Sequence, residues 1–104
     1  MSDAREILQE ARAALAVYGW RQGELGDCES GFCALGALVY ADYKYRAVTA
    51  SEPHIHSPAY WAAARILRDV AQYANIVSWN DRDDQTQDQV MRAFDFAIME
   101  AEAQ

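Results

Sequence analysis

A chain of 104 residues, 52% hydrophobic and 24% charged, has the size and balance of one globular domain, which excludes a disordered tail and a pair of separate cores. The formal net charge is −7, and the segment from Asp81 onward sets seven acids against Arg82 and Arg92, so five of those negative charges lie there. Such a field repels phosphate backbones and disfavours direct nucleic-acid binding, while a basic protein surface suits it as a partner.

Met1 to Glu6 carry charges at once, without the apolar run of a signal peptide. The longest weakly polar stretch, Phe32 to Ala41, is about ten residues, well short of the ~20 needed to cross a bilayer. A cytoplasmic protein without a membrane span is expected.

In chain order, Ala4, Ile7, Leu8, Ala11, Ala14, Leu15 and Tyr18 recur every three or four residues and predict a first helix over Asp3 to Tyr18. Ser2 is its natural N-cap and Gly19 its stop. Gly19 to Gly31, rich in glycine and poor in periodic apolar residues, reads as a long connection. Phe32, Leu35, Leu38 and Val39 resume helical spacing and predict a second helix from Phe32 to Tyr45. Gly36 inside it costs roughly 1 kcal/mol against alanine, which implies close packing by a neighbouring helix.

Ala47 to Ser57 form a second connection. Ser57-Pro58 then starts a third helix, with the stripe Tyr60, Ala63, Ala64, Leu67, Val70, Ala71 and Ala74. Asn75 to Gln85 connect to a fourth helix, opened by the capping-box pair Thr86 and Gln89 and running to near Ala101. Its inward face is Val90, Met91, Phe94, Ala97, Ile98 and Ala101. The expectation is an all-α, single-domain four-helix bundle over residues 1–104, with two long ordered loops.

Several constellations bear on chemistry. Cys28 and Cys33, with His54 and His56 downstream, lack the spacing of a structural zinc site, and a reducing compartment disfavours a disulfide. Cys33 at a helix start, with His54 or His56 as base and Asn80 or Asp81 as orienter, supplies the residue types of a cysteine nucleophile. Core packing is the commoner role of such a cysteine. Asp81, Asp83 and Asp84 lack the glycine and glutamate of a calcium loop, and no metal or cofactor is expected. Trp20 and Trp79 border polar loops, where an indole either staples the loop or lines a ligand pocket.

Gly19-Trp20-Arg21-Gln22-Gly23, Phe32-Cys33-Ala34-Leu35-Gly36-Ala37-Leu38, and Trp79-Asn80-Asp81 with Thr86, Val90, Asp95, Ala97 and Ile98 form an ordered set. Together they resemble a family of small actinobacterial and actinophage proteins of unknown function, with motifs GW-x-QG, WCALGAL and WND followed by T, V and D-x-AI. Phe32 departs from the family's tryptophan, and Phe94 and Phe96 replace leucines around Asp95. The resemblance implies a cytoplasmic home and a phage origin but no activity.

The leading expectation is a non-enzymatic binding module that meets a protein partner through Trp20, Gln22, Trp79, Asn80, Asp81, Asp83 and Asp84. The alternative is a small cysteine-dependent enzyme or ligand-binding protein centred on Cys33 with Asn80 and Asp81. A homodimer through the alanine-rich third helix is also open.

Overall fold

The computed structural model describes residues 3–49 and 56–103. Along them run α1 (Asp3–Tyr18), β1 (Gly26–Asp27), β2 (Gly31–Phe32), α2 (Ala34–Thr49), α3 (Pro58–Ala71), α4 (Ile76–Asn80) and α5 (Gln87–Ala103). The domain is mainly helical. The two stretches expected to be plain connections hold a small antiparallel hairpin and a one-turn helix. Ser2 and His54 lie outside the described residues.

α1 forms where its periodicity predicts, burying Ala4, Ile7, Leu8, Ala11, Ala14 and Leu15 against α2, α3 and α5. Each fully buried leucine, isoleucine or phenylalanine contributes about 1.5–3 kcal/mol, and Leu8, Leu15, Leu38, Leu67 and Phe94 share one core. Gly19 ends α1 at φ 98°, its N–H bonded to the Leu15 carbonyl at 3.0 Å. Tyr18, expected to face inward, sits at the margin, with its ring edge-on to Phe32 and Tyr40 at 6.0 Å each.

The Gly19–Gly31 connection is ordered by backbone pairing. Gly26 faces Phe32 and Asp27 faces Gly31 in the hairpin, whose turn is closed by Asp27 Oδ1 accepting from the Glu29 and Ser30 N–H groups at 2.9 and 2.8 Å. Phe32 also bridges to Trp20. α2 therefore starts at Ala34 rather than Phe32, with Cys33 before it. Gly36 is needed for a different reason from the one expected. A Cβ there would lie 1.9 Å from the Leu25 carbonyl oxygen, so the loop backbone, not a neighbouring helix, occupies its space.

α2 continues past Tyr45 to Thr49, supported by the Asp42–Arg46 pair one turn apart. α3 opens on Ser57, whose hydroxyl accepts from the Tyr60 N–H at 3.1 Å, with Pro58 in the first turn. α5 opens on the reciprocal capping box: Gln89 N–H to Thr86 Oγ1 at 3.2 Å and Thr86 N–H to Gln89 Oε1 at 3.0 Å. No helix among the described residues is long and apolar enough to cross a membrane.

α3 stops at Ala71, short of Ala74, because Gln72 turns left-handed at φ 59°. A residue with a Cβ pays about 1–2 kcal/mol for that conformation and glycine does not. Gln72→Gly is accordingly expected to raise unfolding stability by about 0.5–1 kcal/mol, read as a higher urea midpoint with an unchanged slope.

Candidate functional site

The three motif segments meet at Asn80. α4 is capped by the Asn75 side chain, which accepts from the Ser78 N–H at 3.0 Å, and its single turn buries Ile76, Trp79 and Asn80. Asn80 Oδ1 accepts from Trp20 Nε1 at 2.7 Å and from the Ala34 N–H at 2.9 Å. Its Nδ2 donates to the Arg21 carbonyl and to Asp81 Oδ1, both at 3.0 Å. Both lone pairs and both N–H groups are thus spent inside the protein.

The neighbours extend this network. Gln22 Nε2 donates to the Asn80 and Arg82 carbonyls at 3.0 and 2.8 Å. Asp81 Oδ1 accepts from the Gly23 N–H at 3.1 Å, and Gln85 Nε2 donates to the Trp79 carbonyl at 2.8 Å. Trp20, Gln22, Asn80 and Asp81 therefore hold the first loop against α4, while Trp79 is buried in the core. Asp83 and Asp84 stand exposed beyond them, with Asp84 3.1 Å from Arg82 Nε.

Cys33 is buried, and its sulfur accepts from the Gly36 N–H at 3.3 Å, capping α2. Burial pushes its thiol pKa up, outweighing the backbone N–H groups that favour the thiolate. The thiol is protonated at neutral pH and points to a helix turn. Cys28 is the exposed one of the pair, and both are free.

His56 belongs to a second cluster, centred on an acid that sequence reasoning passed over. Asp42 is fully buried. Its Oδ1 accepts from the Ser57 hydroxyl at 2.6 Å and the Ser57 N–H at 3.3 Å. Its Oδ2 takes His56 Nδ1 at 2.8 Å and Arg46 Nε at 3.1 Å. A carboxylate only accepts, so His56 carries its proton on Nδ1. Aspartate, histidine and serine meet here without forming a nucleophilic triad. Ser57 bonds the aspartate instead of the histidine and spends its oxygen on capping α3. The signal that could have found Asp42 is its position between Leu38, Ala41 and Tyr45 on the inward side of α2.

Among the described residues no group of three or more histidines, cysteines or acids is placed to hold a metal ion. What the arrangement does is fix backbone: one amide joins the first loop, α2 and α4, and one carboxylate joins α2 to the start of α3.

Asn80→Ala leaves the Trp20 indole N–H, the Ala34 N–H and the Arg21 carbonyl without partners. At roughly 1–3 kcal/mol for the buried Ala34 N–H and less for the half-buried indole and carbonyl, which water can reach, it is expected to cost about 2–4 kcal/mol in chemical denaturation. For Asp42, burial pushes the carboxyl pKa up, but hydrogen bonds from Ser57 and His56 and the charge of Arg46 outweigh it and hold it below the ordinary 3.8. A depressed carboxylate stabilises the fold above its unfolded pKa, and that stabilisation is lost as pH falls through the folded value. Wild-type stability should therefore fall below about pH 4, and Asp42→Asn should flatten that acid limb while lowering stability at pH 7.

No curated protein and no solved structure matches this chain. The model of a family of unknown function, DUF6197, matches residues 1–100. With that match covering nearly its whole length, the chain belongs to the family of unknown function DUF6197.

Proposed function

We propose that this protein is a non-enzymatic interaction module whose acidic surface receives a basic patch on a partner protein. The observation that carries the reading is the fixed setting of its exposed acids. Asp83 and Asp84 are exposed on a turn anchored by Gln85 to the Trp79 carbonyl and by Gln22 to the Arg82 carbonyl, and Asp88 is exposed in the first turn of α5, which the capping box opens. Charges on a rigid turn lose little freedom on binding, so more of their attraction reaches the complex.

Of the two loop tryptophans expected to meet the partner, Trp79 is buried and Trp20 is half-buried. Trp20 binds Asn80 and Trp79 packs in the core, so contact falls to the acids they position. If the actinophage origin implied by the motif resemblance holds, the partner is a host protein and the role is host modulation. The alternative, an enzyme built on Cys33, finds its thiol buried and neutral.

The test is affinity capture and cross-linking from the native host, with wild type beside Asp83→Lys/Asp84→Lys/Asp88→Lys. A partner bound by wild type and weakened at least tenfold, ~1.4 kcal/mol, by the triple reversal is expected, with affinity falling as salt rises. A partner indifferent to the reversal would sink the reading. Iodoacetamide labelling of the folded protein across pH 6–9 separates the alternative: Cys28 should react and Cys33 should not.

A further inference from the structure

The groove between α3 and α4 is lined by neither Asn80, Asp42 nor the exposed acids of the proposed interaction surface. Its volume is about 250 Å³. Buried Tyr60, Ala64 and Ile76 form its walls with half-buried Leu35. At its mouth stand Trp61, 59% exposed, and Val77, 37% exposed. Small-molecule sites typically offer ~300–1,000 Å³, so this space suits one large apolar side chain better than a whole ligand.

The Trp61 indole is held in place before anything binds. Its ring stands edge-on to Tyr60 at 5.0 Å and to His56 at 5.7 Å, and His56 is itself fixed by Asp42. An exposed tryptophan with a set orientation gives contact area at little entropic cost, and tryptophan and arginine are the residues most enriched where binding energy concentrates.

Charge decides the kind of partner. Arg65 and Arg68 lie on the same exposed stripe of α3 as Trp61, at spacings of four and three residues. Among the described residues Arg65, Arg68 and, on α5, Arg92 have no ion-pair partner, whereas Arg5, Arg12, Arg21, Lys44, Arg46 and Arg82 are all paired. With Asp69 counted, the stretch from Trp61 to Gln72 still carries a net positive charge in a chain of net charge −7. At physiological salt the rest of the field is screened beyond ~8 Å, so the two arginines govern what approaches the groove closely.

We infer that this groove docks an acidic peptide segment of another protein, with one large apolar side chain seated between Tyr60 and Ile76 and flanking carboxylates on Arg65 and Arg68. The site is separate from the acidic turn, and the two fail independently, because the variants that test one leave the other intact.

A displayed library of random twelve-residue peptides, selected on the immobilised full chain, tests it. Binders enriched in Asp and Glu around one aromatic or leucine residue are expected. Their affinity should fall at least tenfold in Arg65→Glu/Arg68→Glu and in Trp61→Ala, with circular dichroism confirming the fold, and Val77→Glu at the opposite lip gives a second handle. Binders without acids, binding unchanged in these variants, or a library that yields no binder would overturn the inference. So would sedimentation showing a dimer of this chain that Arg65→Glu/Arg68→Glu dissolves, because a second copy would then fill the groove.

Discussion

Asn80 sits where three stretches of chain distant in sequence come together, and the geometry of that end of the molecule depends on it. An amide buried without partners costs several kcal/mol, so its presence in the interior requires that all four of its hydrogen-bonding positions be filled. They are filled by the indole of one loop, a backbone carbonyl of the same loop, the first N–H of α2 and the neighbouring aspartate. α4, only one turn long, presents that amide at the right depth. The Leu25 carbonyl can lie over Gly36 because no side chain stands there.

A common device links this joint to the one at Asp42. The first N–H groups of a helix have no partners within it. α2 takes its partner for Ala34 from Asn80 on α4. α3 takes its cap from Ser57, whose hydroxyl is in turn held by Asp42 on α2. Helix starts here serve as docking points between elements, which locks the angle at which one element leaves another. α4 and α5 are exceptions: the Asn75 cap and the capping box are local, and tertiary packing of Phe94 and Ala97 positions α5.

The long helices were legible because their apolar spacing persists over several turns, and the capping box because its two residues are three apart. α4 was not legible: Ile76, Trp79 and Asn80 make one turn of pattern, too little to separate from a connection. The hairpin has two-residue strands and depends on pairing that no local propensity announces. Phe32 read as helical because it is apolar at the right spacing, yet its N–H and carbonyl are taken by Gly19 and Arg21. Asp42 was missed because an acid on a helix reads as solvent-facing, and its burial depends on groups four to fifteen residues away. Trp61 was weighed with the other tryptophans but set aside because, unlike Trp20 and Trp79, it borders no polar loop. The motif residues themselves were found, but residue types cannot show that the hydrogen-bonding capacity of Asn80 is already used.

The separation in sequence of the Asn80 contacts also orders events during synthesis. Trp20 and Ala34 lie 60 and 46 residues ahead of the side chain that holds them. The glycine-rich stretch between α1 and α2 has little apolar surface of its own to bury, and a loop of that kind cannot recover its ordering entropy alone. On a ribosome, α1 and α2 can pair while the stretch joining them is still open, and it closes only after residue 80 has left the exit tunnel. Until Asn80 is made, the loop between α1 and α2 is without the amide that latches it.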